Sequence, residues 1–251
     1  LRDTWRCSAD DVLLHALPIF HAHGLFVACH CALLSGARMI WLGKFDRDRV
    51  LAELPRATVF MGVPTFYTRL LAGSGLDAEA VRNMRLFTSG SAPLLTETFD
   101  AFRERTGHTI LERYGMTETG MNASNPYDEE RRAGTVGFAL PGTEVRVTDD
   151  NDNVLPQGET GGLQVRGANV FSGYWRMPEK SAEEFAEGGW FRTGDVARID
   201  EDGYVHLVGR AKDLIISGGF NVYPKEIEEI VDDMPEVDES AVIGVPHADF
   251  G

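Results

Sequence analysis

Four short stretches of the sequence combine residue types suited to holding phosphate and carboxylate groups. Thr88-Ser89-Gly90-Ser91-Ala92-Pro93 sits between a strand-like run and a helix-like run. Its small residues let a flat ring approach the backbone, and exposed N–H groups at a helix start can meet an anion. The same composition also serves any strand-to-helix turn for steric reasons alone. Tyr114-Gly115-Met116-Thr117-Glu118-Thr119-Gly120 reads as a loop with a stacking ring, two hydroxyls and a carboxylate between glycines. Thr117 could donate to a phosphate. Glu118 could hold Mg²⁺, a hard cation that bridges carboxylates and phosphates. A Thr-rich turn with a surface Glu is the plain alternative.

Trp190-Phe191-Arg192-Thr193-Gly194-Asp195 places an acid at the end of an aromatic strand. A carboxylate there can accept from both hydroxyls of a ribose, in charge-assisted bonds about twice as strong as neutral ones; an Asp turn-former beside Gly194 is the other reading. Gly209-Arg210-Ala211-Lys212-Asp213 precedes Ser217-Gly218-Gly219-Phe220-Asn221. Arg210 brings a permanent cation with forked donors, suited to phosphate or ribose oxygens, although a surface Arg at a hairpin turn has the same appearance.

The elements that must position these residues follow from pattern. Residues 12–19 are strand-like, and 24–34 read as a buried helix stopped by Ser35-Gly36. Residues 37–42, 58–63 and 84–88 are strand-like. Asp46 caps a short helix over 46–54, Pro64 opens a helix carrying Phe66, Leu70 and Leu71, and 96–106 form a helix closed by Gly107. This alternation predicts an α/β fold, a parallel sheet flanked by helices, with ligands beyond the carboxyl ends of its strands. A β-rich subdomain follows: 144–148 and 163–165 are strand-like, and 196–199 and 204–208 flank Asp202-Gly203, a hairpin signal. After Lys212 a small hairpin and a helix opened by Pro224 suggest the start of a small α+β domain. The expected organisation is residues 1–133, 134–211 and 212–251.

Composition narrows the function. Apolar residues make up 43% of the 251 residues, enough to bury a core without disulfides or structural metal. A net charge of −15 argues against nucleic acid as a partner, since that needs clustered cations. No apolar run is long enough for a membrane span, and nothing implies a specific protein partner. Cys7, Cys29 and Cys31 make no disulfide framework, and free thiols suit a reducing, cytoplasmic compartment. The chain opens on Leu1 and closes at Gly251 just after a strand-like run, so it is expected to be an internal piece of a longer protein.

Taken in order, Leu17-Pro18-Ile19-Phe20-His21-Ala22-His23-Gly24, the stretch 89–94, the stretch 114–119, Trp190 to Asp195 and the stretch 209–224 resemble the shared motifs of the adenylate-forming superfamily. That group holds acyl-CoA synthetases, luciferases and peptide-synthetase adenylation domains. Residues 17–25, 63–71 and 113–126 look most like its malonyl-CoA synthetase branch.

The resemblance implies an ATP-dependent ligase that forms an acyl-adenylate and then a CoA thioester, with ATP, Mg²⁺ and coenzyme A taking part. It implies that Gly90, Ser91, Ala92, Pro93, Tyr114, Gly115 and Met116 line the adenine and acyl pocket. By the same likeness Thr117 contacts phosphate, Glu118 coordinates Mg²⁺, and Asp195 and Arg210 grip the ribose. Lys212 falls at the hinge of the small C-terminal domain, and Ser217, Gly218 and Gly219 line the pantetheine tunnel. A malonate substrate needs a cation for its second carboxylate; Arg69 is the candidate, with His21 and Ser89 beside it. The family's phosphate loop, normally upstream of His21, and its adenylating lysine near the C-terminus are missing from these 251 residues, so the chain alone is expected to be inactive.

Three other readings stand beside this one. His15, His21, His23, Cys29, His30 and Cys31 are transition-metal ligand types, but their spacing fits no standard closed site. A relative that only binds nucleotide is the second. The third is a carrier-protein ligase or amino-acid adenylation domain, which would place an acid in the pocket for an amino group; no such acid is evident.

Overall fold

The structure, a computed structural model, describes residues 1–217, 220–232, 234, 237 and 240–247. The chain divides into two compact units, Leu1–Gly142 and Thr143–Gly251.

The first unit is built on a seven-stranded sheet. Its strands are β1 (Val12–His15), β2 (Arg38–Trp41), β3 (Val59–Gly62), β4 (Leu86–Ser89), β5 (Leu111–Met116), β6 (Gly120–Ser124) and β7 (Phe138–Ala139), in the order β2-β1-β3-β4-β5-β6-β7. The pairs from β2 to β5 are parallel, and β6 and β7 add on antiparallel. Strands β1, β3 and β4 are buried along their whole length, as the continuous apolar runs of a sheet covered on both faces require.

Between β1 and β2 runs a helix that begins with π-type turns (His23–Cys29) and continues as α1 (His30–Ser35). Helices α2 (Arg47–Glu53), α3 (Pro64–Leu71) and α4 (Thr96–Thr106) fill the later crossovers. Asp46 caps α2 by accepting the Arg49 N–H at 3.0 Å, and Pro64 starts α3, both as the sequence predicts. The chain steps from β1 outward to β2, then returns to β3 on the other side of β1. Right-handed crossovers therefore put the His23–Ser35 helix on one face and α2, α3 and α4 on the other. In agreement, α3 packs against both α2 and α4. The core under α3 and α4 is aromatic: Phe102 meets Tyr67 and Phe87 edge-on, with centroids 5.4 Å and 4.9 Å apart. The reversal between β1 and β3 opens the sheet at its carboxyl edge, where such folds bind ligands.

Three local expectations change. The helix over 24–34, expected to be buried, covers the sheet with one face only and leaves Phe26, Leu33 and Leu34 exposed. The strand expected over residues 12–19 stops at His15, because Pro18 has no N–H for a ladder and the chain turns there. The stretch 114–120, expected as a loop, is mostly hairpin: Tyr114, Gly115 and Met116 end β5, and only Thr117, Glu118 and Thr119 form the turn into β6.

The second unit holds β8 (Thr143–Thr148), β9 (Gly161–Gly167), α5 (Pro178–Glu184), β10 (Phe185–Ala186), β11 (Trp190–Ile199) and β12 (Val205–Arg210). The long strand β11 pairs with β9, β10 and β12, all antiparallel. The predicted hairpin at Asp202-Gly203 joins β11 to β12. Beyond it, β13 (Ile215–Ser217) pairs with β14 (Phe220–Val222), and α6 (Pro224–Asp232) follows.

Candidate nucleotide and acyl site

In the first unit the candidate residues gather where β4 and β5 end. Ser89 closes β4 and is fully buried, while Ser91, Ala92 and Pro93 form the exposed turn toward α4. Ser91 has a left-handed backbone (φ 72°), and its Oγ lies 3.3 Å from His23 Nδ1. Between them, Gly90 leaves room for the guanidinium of Arg113: a Cβ at position 90 would lie 2.5 Å from Arg113 Cζ and Nη1.

Three charged or titratable groups are buried here. Arg113 is 4% exposed, and burial pulls its guanidinium down to about 10. Its neighbour Glu112, aligned with Ser89 across the β4–β5 pair, is driven up to about 8 by burial, against backbone N–H donation from Gly134 and Leu94. His23 is held well below the usual imidazole range by burial first, then by the charges of Arg113 and His15. Beneath them the Tyr67 hydroxyl donates to the Thr88 carbonyl at 2.6 Å.

The β5–β6 turn carries the other candidates of this unit. Tyr114 is buried, with its hydroxyl 3.9 Å from Met116 Sδ, whereas Thr117 is exposed and Glu118 half-buried. A single accessible carboxylate is the donor that Mg²⁺ takes from a protein when phosphates and water complete its shell, so Glu118 fits that role. His21 and Arg69 are both exposed, the first on the connection after β1 and the second in the last turn of α3. They differ in this from Ser89, which lies under the surface.

The second unit brings Asp195 and Arg210 together. They are opposite each other in the β11–β12 pair, with Arg210 Nε 3.7 Å from Asp195 Oδ1. Strand β11 shifts register between Arg192 and Val196, and Gly194 there has φ 75°. Such a bulge re-aims the residues it carries. Thr193 pins it: its hydroxyl donates to the Leu163 carbonyl at 2.8 Å and accepts the Asp195 N–H at 3.1 Å. Lys212 lies exposed in a 3₁₀ turn after β12, and Ser217 is exposed at the end of β13. Gly218 and Gly219 fall outside the described residues.

Among the described residues no three His, Cys, Asp or Glu side chains are placed to hold one metal ion. Cys29 Sγ lies 3.9 Å from His15 Nε2, while Cys31 instead interacts with Cys7. Among the described residues no helix is long and apolar enough to cross a membrane. Sequence reasoning gave Glu112 and Arg113 no role of their own and counted His23 only in the rival metal reading; the sheet reveals that all three are buried.

A two-faced α/β sheet with polar strand ends, followed by a strand-rich unit, has the architecture of the large domain of adenylate-forming enzymes. The chain belongs to the AMP-binding enzyme family, whose model matches residues 1–175. Over its whole length it is 61% identical to MatB from Rhodopseudomonas palustris, solved with ATP bound, with a TM-score of 0.98, and it covers 50% of that chain. The malonate–CoA ligase of Arabidopsis thaliana is 38% identical over 272 residues, 100% of this chain and 44% of that protein. The mitochondrial malonate–CoA ligase of Mus musculus is likewise 38% identical, over 99% of this chain and 48% of that protein. The chain thus spans about half the length of the relatives it matches.

Proposed function

We propose that this chain is part of an AMP-forming acid–CoA ligase that activates malonate or a closely similar small dicarboxylate. The observation that carries this reading is the 61% identity and 0.98 TM-score to an ATP-bound MatB across the entire chain. In the first half-reaction a carboxylate oxygen of the acid attacks the α-phosphate of ATP, giving the acyl-adenylate and releasing pyrophosphate. In the second, the CoA thiol attacks the adenylate carbonyl, forming the thioester, and AMP leaves.

The central physical task is to hold two anions against each other, and positioning supplies much of the rate. Gly90, Ser91, Ala92, Pro93 and Tyr114 line the adenine and acyl pocket, and Thr117 donates to phosphate. Glu118 would hold Mg²⁺, which would supply positive charge against the phosphates. Asp195 accepts from the ribose hydroxyls, with Arg210 already beside it at 3.7 Å. Lys212 serves as the hinge, and Ser217, Gly218 and Gly219 line the pantetheine path. Arg69, with His21 and Ser89, faces the second carboxylate. The three free cysteines fit a reducing compartment, and we place the protein in the cytoplasm.

The test is a pyrophosphate-release and thioester assay on the protein at its full length, across mono- and dicarboxylic acids, for wild type and Arg69→Ala. Malonate is expected to be the best acid, and Arg69→Ala to weaken malonate use by ~10-fold or more while sparing ATP. No malonate-dependent pyrophosphate or malonyl-CoA from the wild type overturns the function. Equal malonate turnover in the variant overturns the role of Arg69.

A further inference from the structure

Two of the three cysteines meet in the first unit. Cys7 is half-buried on the turn that precedes β1, and Cys31 is buried on α1. Both line one small pocket, walled in part by Ala28, Ala32 and Ala37. The Cys31 S–H donates to the Cys7 sulfur. Cys29, on the same continuous helix, points elsewhere, with its Sγ 3.9 Å from His15 Nε2.

The turn that carries Cys7 is held on several sides. Trp5 is fully buried, and its indole N–H donates to the Ser124 hydroxyl at 3.0 Å. The Arg85 guanidinium donates to the Trp5 carbonyl at 3.0 Å, and the Cys7 N–H donates to the Arg2 carbonyl at 2.7 Å. Arg6 has a left-handed backbone, φ 52°, which a non-glycine residue keeps only where its surroundings fix it. This frame holds Cys7 against Cys31.

The two thiols differ in reactivity. The thiolate is the form that attacks oxidants. Cys7 is pulled down to about 7, first by the bond from Cys31 and further by the Arg85 charge, against burial and the opposing charge of Asp11. Cys31 is pushed up by the same bond and by burial, so it keeps its proton. Burial also pushes Cys29 up. An accessible nucleophilic sulfur with a second cysteine poised beside it is the arrangement that turns a sulfenic acid into a disulfide.

We propose that Cys7 and Cys31 form an oxidation site that reacts with hydrogen peroxide and closes to a disulfide, Cys7 attacking and Cys31 resolving. The Cys7 thiolate attacks one peroxide oxygen. An S–O bond forms, the O–O bond breaks, and the departing hydroxide takes up the proton that Cys7 released. Cys7 is left as sulfenic acid. The Cys31 sulfur then attacks the Cys7 sulfur: the S–S bond forms, the S–O bond breaks, and the hydroxyl leaves with the Cys31 proton as water. Two thiols are oxidised by two electrons in all, and the peroxide is reduced to two waters. The disulfide ties the turn before β1 to the helix that runs over the sheet. A transient link of this kind is compatible with a reducing compartment, and the inference does not depend on the ligase reading.

The experiment treats the full-length protein with hydrogen peroxide, blocks the remaining thiols, and maps non-reduced peptides by mass spectrometry. Cleavage before Asp10 and Asp11 separates Cys7 from Cys29 and Cys31. Wild type and Cys29→Ala are expected to yield the Cys7 peptide joined through Cys31, and dithiothreitol to release it. Cys7→Ala and Cys31→Ala are expected to lose the joined species entirely. In Cys31→Ala a sulfenic acid is expected to persist on Cys7 and to be captured by dimedone. Wild type alone carries the main measurement, so a variant that fails to fold does not remove the test. Cys7 and Cys31 both still free in peroxide-treated wild type overturn the inference, as does a link that maps to Cys29. Cys7 driven to sulfinic acid while Cys31 stays free overturns the resolving role.

Discussion

Gly90 and Arg113 occupy complementary space: the guanidinium sits where any side chain at position 90 would have to go, 2.5 Å from its Cβ. Small-to-large changes in a packed interior force neighbours off their rotamers and cost about 1–3 kcal/mol. Gly90→Ala is therefore expected to lower stability by that amount in chemical denaturation. Combining it with Arg113→Met, whose flexible side chain can yield, is expected to recover most of the loss. Contacting residues couple in this way. Additive effects in the double variant would show that the two residues do not share the space.

Glu112 supplies a pH dependence whose sign is fixed by its burial. Its carboxyl titrates at about 8 in the folded chain, against an ordinary 4.5. Between those values the folded state holds a proton that the unfolded state has released, so the contribution to stability is full below about 4.5 and falls as pH rises through about 8. The slope approaches about 1.4 kcal/mol per pH unit at most. Glu112→Gln keeps the shape and removes the titration. Its unfolding free energy is expected to vary less between pH 5 and pH 8 than that of the wild type, by roughly 1 kcal/mol or more. Parallel curves for the two proteins would refute the assignment.

Asp11 and Arg85 form a bidentate ion pair in the first unit, the carboxylate buried and the guanidinium partly exposed, with Nε to Oδ1 at 2.7 Å and Nη2 to Oδ2 at 2.6 Å. Ser8 N–H and the Thr58 hydroxyl fill the remaining sites of the carboxylate. Burial alone would push Asp11 up, but Arg85 and these donors outweigh it and hold the carboxyl below its usual range. The sign is opposite to that of Glu112: this stability is present above the ordinary carboxylate range and is lost as pH falls through the lowered value. Asp11→Ala leaves the guanidinium only its bonds to the Trp5 carbonyl and the Tyr127 hydroxyl and is expected to cost about 1–3 kcal/mol, measured by denaturant unfolding, whereas Asp11→Leu with Arg85→Met is expected to lose less. A single variant as stable as wild type would show that the pair does not form in solution.

Much of this protein is readable from local pattern. Strands β1, β3 and β4 are apolar runs, α2 and α3 begin at Asp46 and Pro64, and the β11–β12 hairpin is marked by Asp202-Gly203, because burial and turn chemistry act on neighbours in the chain. The pairing of Asp195 with Arg210 was not readable in this way: the register set at the hairpin turn would place Asp195 opposite Gly209, and a one-residue shift between Val196 and Ala197 brings it to Arg210. What the sequence could not disclose is the buried corner at Glu112, Arg113 and His23. Those side chains are polar in any composition. Only the pairing of β4 with β5, and the passage of the His23–Ser35 helix over one face of the sheet, takes them out of water, which pushes the Glu112 carboxyl up and pulls His23 and Arg113 down.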